Sequence, residues 1–149
     1  MTAEEYARWQ DEKLRSYAAE MVGSGRLDAE SAHRRAEEQH REFLPEGLAT
    51  PHTHLLRVLD GAGAPVGVLW VGPHPLKAGA GWVYDVEIEE RRRGEGLGRA
   101  AMLAAEEAAR EEGWTEIGLN VFGPNHGAKA LYDSLGYAVV TTTMSKPLP

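Results

Sequence analysis

The chain has 149 residues, 42% of them hydrophobic, which is enough for one packed core and too little for two. A formal net charge of −7 argues against a general nucleic-acid binder, and the absence of cysteine excludes disulfides, thiolate metal sites and a cysteine nucleophile. The apolar runs are too short to cross a bilayer and the opening MTAEEYARWQDEKLR is charged throughout, so the expectation is a soluble cytoplasmic protein with no membrane partner.

Two helices are predicted first. Thr2 and Glu5 have capping-box spacing, and Tyr6, Trp9, Leu14, Tyr17 and Met21 form an apolar stripe that ends at Gly23-Ser24-Gly25. Tyr6, Trp9 and Tyr17 are expected in the core or at a homodimer contact. The second helix, about 28–43, turns Ala32, Ala36 and Phe43 inward and leaves His33 and His40 on its surface.

A hairpin follows, HTHLLRVLD (52–60), the turn GAGAP and VGVLWVG (66–72). GWVYDVEIE (81–89) reads as a third strand, with Trp82, Tyr84, Val86 and Ile88 on one face and Asp85, Glu87 and Glu89 on the other. The next helix places Leu97, Ala101, Ala104 and Ala108 on one side and stops at Gly113. TEIGLNVF (115–122) is a fourth strand. Asn125 then caps a short helix with Ala128, Leu131, Tyr132 and Leu135 at core spacing, and YAVVTTTM (137–144) is a last strand. This order predicts a mixed α/β sheet in one domain, 1–149, with a helical segment at 1–45 and the sheet at 52–144.

The stretch RRRGEGLGRAAMLAAEEAA (91–109) joins strand to helix through three arginines and glycines at 94, 96 and 98. A helix N-terminus has unpaired N–H groups and a dipole that favours anions. Glycines there let a diphosphate approach the main chain, and Arg93 and Arg99 can add charge-assisted bonds. A solvated basic turn is the plainer alternative. No G-K-[ST] is present, which excludes a Walker loop, and the glycine spacing misses the dinucleotide fingerprint G-x-G-x-x-G.

R-G-E-G-L-G (Arg93 to Gly98), together with N-H-G-A-K-A-L-Y-D-S-L-G-Y (Asn125 to Tyr137), resembles the two signatures of the GNAT superfamily of acyl-CoA-dependent N-acyltransferases. The resemblance is strong over 81–144, plausible over 52–72 and limited to helical character over the first 45 residues. It implies that the parallel strands 81–89 and 115–122 splay apart to admit acetyl-CoA as co-substrate, with no metal. Pantetheine would pair with the main chain around Val86 and Ile88. The pyrophosphate would lie on the amides of Gly94, Glu95, Gly96, Leu97, Gly98 and Arg99, beside Arg93, and Asn125 would help hold the pantetheine arm. Tyr132 would be the acid for the leaving thiolate.

Acyl transfer needs a neutral amine, and deprotonating a lysine amine at pH 7 costs about 4.6 kcal/mol against about 1.1 for an α-amine. Glu87 is the candidate base, with ordered water as the other route. Asp85 is a weaker candidate for the substrate side. Some relatives carry a glutamate where this chain has Asn120, which leaves a polar group able to bind substrate or coenzyme. The expected acceptor is a primary amine on a cationic small molecule or a peptide. A non-catalytic acyl-CoA sensor and a nucleotide-binding regulator are the alternatives. His52 and His54 share a strand face but lack a third ligand, so no metal is assigned. Arg91, Arg92 and Lys129 are solvated or near the adenosine phosphate.

Overall fold

The computed structural model describes residues 1–23 and 27–148; Ser24 and Gly25, expected to end the first helix, lie outside the described residues. Helix α1 (Ala3–Gly23) starts in the expected box: Glu5 N–H donates to Thr2 Oγ1 at 3.2 Å, and Thr2 N–H to Glu5 Oε2 at 2.7 Å. Helix α2 (Ala29–Phe43) is capped by Asp28, which accepts from Ser31 N–H at 2.9 Å, and it buries Ala32 and Ala36. His40 is not on the surface. It is half-buried and paired with Tyr6 Oη at 3.0 Å, because α1 packs over that side of α2.

Strands β1 (His54–Leu59), β2 (Pro65–Pro73) and β3 (Ala80–Ile88) form an antiparallel meander, and β4 (Glu116–Leu119) joins β3 in parallel, giving the order β1-β2-β3-β4. The β2–β3 register jumps from Trp70↔Asp85 to Val71↔Val83, so Tyr84 is an extra residue in a bulge. That changes the parity of β3. Tyr84 stacks on Trp70 with ring centroids 4.7 Å apart, on the α1–α2 face, whereas Val83 and Val86 pack on the opposite cluster. The expectation of one shared face for Trp82, Tyr84, Val86 and Ile88 therefore fails at the bulge.

The core has two layers. On one face Leu69, Val71 and Val83 pack against Met102 and Ala105 of α3 (Leu97–Glu111); on the other Trp9 covers Leu55 and Val68. Full burial of Leu69 and Met102 contributes about 1.5–3 kcal/mol each. Helix α3 buries Ala101, Met102, Ala105, Ala108 and Ala109, so the expected Ala104 is exposed. With alanine on several faces, only Met102 marks the true stripe.

Helix α4 (His126–Ser134) is capped by Asn125, whose Oδ1 accepts from Ala128 N–H at 3.2 Å, and its half-buried face carries Ala128, Leu131 and Tyr132 as the spacing predicts. Two strand expectations change. The fourth strand covers only 116–119, and 137–144 forms no strand; Val139, Val140 and Met144 are exposed. High β-propensity does not make a strand where no neighbouring backbone pairs with it.

Candidate active site

Leaving β3, the chain makes a 3-10 turn at Glu90–Arg92 and enters α3 through the glycine loop. Gly94 (φ 81°) and Gly96 (φ 82°) occupy the left-handed region, and a Cβ added to either would meet open space. Backbone conformation, not crowding, requires glycine at both. Gly98 is different: a Cβ there would lie 3.3 Å from Leu131 Cδ2, so glycine lets α4 seat against the first turn of α3.

Among the described residues, the N–H groups of 94–99 donate no hydrogen bond, while Gly96 C=O accepts from Ala100 N–H at 3.0 Å and opens the helix. Six bare donors at the positive end of a 15-residue helix make an anion cradle. The side chains around it are already engaged to different degrees. Arg93 Nε donates to Ile88 C=O at 3.2 Å and Arg99 Nη2 to Ser134 Oγ at 2.6 Å, and neither guanidinium has an acidic partner among the described residues. Arg91 pairs with Glu89 but is solvated, with 81% of its side chain exposed, whereas Arg92 is mostly covered and held by Asp60 and Glu95.

The parallel strands do part. Their register runs from Ala80↔Glu116 to Val83↔Leu119 and ends there. Glu89 N–H donates to Val66 C=O at 2.9 Å. By the alternation of an antiparallel ladder, the main-chain groups of Asp85 and Glu87 then face β2, and those of Val86 and Ile88 face the edge that β4 has left. Ile88 C=O on that edge is taken by Arg93.

A cleft of about 710 Å³ lies along β4 and under the 135–141 segment, lined by Trp82, Glu106, Asn120, Tyr132 and Tyr137 among others; Val86, Ile88 and residues 94–99 are not part of its lining. Tyr132 packs its ring on the Leu69–Met102 cluster, and its hydroxyl has no hydrogen-bond partner among the described residues. Burial first, and then the charge of Asp85, push its phenol above the ordinary value, so it stays protonated at neutral pH.

Asp85 and Glu87 share a cation that the sequence reading did not find. Lys13 Nζ of α1 lies 2.8 Å from Asp85 Oδ2 and 2.8 Å from Glu87 Oε2; the contact to Asp85 lacks hydrogen-bond alignment. Burial raises the Asp85 carboxyl, and Lys13 opposes that rise without cancelling it. Glu87 is the more exposed of the two, at 59% of its side chain against 21%. Nothing in the local spacing joins Lys13 to residues 72 and 74 positions later. An aromatic wall also stands on this face, Trp9 edge-on to Trp70 at 5.6 Å and Phe43 5.0 Å from Tyr84. The buried Nε1 atoms of Trp9 and Trp70 have no partner among the described residues.

His52 and His54 both bond Glu112, at 2.7 and 2.8 Å, at the far end of α3. Among the described residues, no group of three or more His, Cys, Asp or Glu side chains is arranged to hold a metal, and no helix is long and apolar enough to cross a membrane.

A sheet that opens at its middle, a row of bare amides at one end of the opening and a phenol without a hydrogen-bond partner among the described residues are what the geometry brings together. The sequence matches the acetyltransferase (GNAT) family over residues 6–137, and the chain belongs to that family: it is an acyltransferase, and its chemistry is acetyl transfer. The family's co-substrate is acetyl-CoA. The chain is 32% identical over 151 residues to the "Uncharacterized N-acetyltransferase YycN" of Bacillus subtilis (strain 168), covering 99% of this chain and 96% of that protein. The YycN crystal structure superposes with a TM-score of 0.82 over 100% of this chain and 96% of the other. A Pyrococcus furiosus structure, 25% identical, gives 0.68 over 99% and 97%. A mycothiol acetyltransferase of Thermobispora bispora is 40% identical over 80 residues, 51% of this chain and 27% of that protein.

Proposed function

We propose that this protein moves the acetyl group of acetyl-CoA to a primary amine of a cationic small molecule or a peptide, by direct attack within a ternary complex. The observation that carries the reading is the pairing of the bare amides of 94–99 with an unpartnered Tyr132 across parted strands. A diphosphate fits the cradle, since a linear anion with several acceptors matches consecutive N–H donors in open space. The edge left by β4 fits a pantetheine arm, which would pair with main-chain groups of Val86 and Ile88. Arg93 and Arg99 would add positive charge. Asn125 Oδ1 already caps α4, which leaves its amide nitrogen for the arm.

Acetyl-CoA supplies an activated thioester; the chain positions it and moves protons. Tyr132 gives a proton to the departing sulfur, and its raised pKa keeps the phenol in the donor form. Glu87, with Asp85 beside it, takes the proton of the attacking amine directly or through water. The same carboxylates favour a cationic acceptor. Trp9, Trp70, Tyr84 and Phe43 would form the apolar side of its site, and Asn120 would offer a polar contact at the cleft. The reading treats 1–149 as one catalytic domain, with 1–45 on the acceptor side, working in the cytoplasm.

The test begins with thermal shift against CoA, acetyl-CoA and longer acyl-CoAs, followed by thiol release over an amine panel. Tyr132→Phe is expected to lower turnover about 100-fold and leave acetyl-CoA affinity unchanged. Unchanged turnover with a raised KM for acetyl-CoA defeats the acid role, and binding without thiol release for any amine makes the protein a sensor.

A further inference from the structure

The anion cradle contains an apparent contradiction. R-G-E-G-L-G places a carboxylate, Glu95, between the two left-handed glycines, where a diphosphate would meet a like charge. The side chain is turned aside. Arg92 Nε lies 3.0 and 3.1 Å from Glu95 Oε1 and Oε2, and Arg92 Nη2 lies 2.9 Å from Oε2, a forked pair that uses two of the three guanidinium nitrogens. The third, Nη1, donates to Asp60 Oδ2 at 2.8 Å. Asp60 is itself fixed: its Oδ1 accepts from Ala62 and Ala64 N–H, both at 2.9 Å, across the β1–β2 turn. Arg92 and Asp60 are mostly covered, at 28% and 12% side-chain exposure. Isolated surface ion pairs contribute little, but a forked arginine in a three-residue network is the geometry in which they do.

We infer that Arg92 is a positioning residue for the acyl donor: it ties the glycine loop to the β1–β2 turn and holds the Glu95 carboxylate away from the amides that would receive the diphosphate. Arg92 does not touch the donor in this account. All three of its nitrogens are spent on carboxylates, and the phosphate-facing charge falls to Arg93 and Arg99. The inference rests on the proposal that the diphosphate binds at 94–99, and it adds why an acidic residue can stand there.

The test compares two donors, acetyl-CoA and S-acetylpantetheine, which shares the arm and thioester but lacks the diphosphate; affinities are read by calorimetry. Arg92→Gln is expected to weaken acetyl-CoA about tenfold while leaving S-acetylpantetheine unchanged. The double variant Arg92→Gln/Glu95→Gln is expected to recover most of that loss, since the charge to be restrained has gone. Asp60→Asn keeps an oxygen for the turn amides and removes the anchor of Arg92, so it should weaken acetyl-CoA in the same sense without unfolding the turn. Equal losses for both donors, or no recovery in the double variant, overturn the inference. Wild-type protein that binds S-acetylpantetheine as tightly as acetyl-CoA would instead overturn the placement of the diphosphate.

Discussion

Lys13 alters what the carboxylates of β3 can do. Two acids on one strand face would repel, and the buried one, Asp85, would resist ionisation; an ammonium 2.8 Å from each offsets both effects. Lys13→Met should lower stability by about 1–2 kcal/mol at pH 7, because Asp85 keeps a covered charge with no counter-ion. The loss shrinks with acid. The Asp85 pKa is already above its ordinary 3.8 and rises further in the variant, so as pH falls through that value the carboxyl takes a proton and the penalty fades. Urea unfolding at pH 7 and pH 4.5 checks this, and an equal loss at both excludes the ion pair as its source. The same contact marks a limit of sequence reading: Asp85 and Glu87 could be singled out by type and strand alternation, and Tyr132 through the family resemblance, but the cation of the two acids comes from a helix that only folding brings near.

At the scale of elements, patterns survive where local chemistry sets them. The Thr2–Glu5 box, the Asn125 cap, the α4 face and the glycine loop all depend on residues within a turn of one another, and all were legible. The face of β3 was not, because one extra residue at Tyr84 shifts everything after it, and a bulge leaves no mark in an alternating sequence. The true stripe of α3 was hidden among alanines, and the tail looked like a strand because its Val and Thr content says nothing about the presence of a partner. Gly96→Ala tests the loop at this scale. With φ at 82°, an alanine should cost about 1 kcal/mol by strain alone, and acetyl-CoA affinity should fall more steeply than stability as the cradle changes shape. Calorimetry beside thermal melting separates the two, and a variant weakened only in stability would show that the loop shape is not used.

At the scale of the whole molecule, side-chain ties connect the start of the sheet to the end of the helix behind it. Glu112, after α3, gathers His54 from the start of β1 and His52 from the turn before it. Hydrogen bonds from His52, then from His54, hold its carboxyl below the ordinary 4.5. A depressed acid stabilises the fold above its unfolded value, and that contribution is lost as pH falls through the folded one. Glu112→Gln should therefore lower Tm near neutrality by the equivalent of about 0.5–1 kcal/mol, a modest figure because His52 is largely exposed, and wild type and variant should converge only once pH has fallen through the depressed Glu112 value, below 4.5. Persistent separation in acid would point to packing instead. The mixed sheet was readable from the alternation of elements; these ties between distant segments were not.

One contact sets a length. Helix α4 approaches the first turn of α3 where a Cβ at Gly98 would lie 3.3 Å from Leu131 Cδ2, so this glycine sets how near the proposed proton donor on one helix comes to the proposed phosphate grip on the other. The interval works as a caliper. On that proposal, a carrier whose arm is longer or shorter than the span would present its sulfur out of register, and preference among donors would follow from the closeness of that seat as well as from bonds made to them.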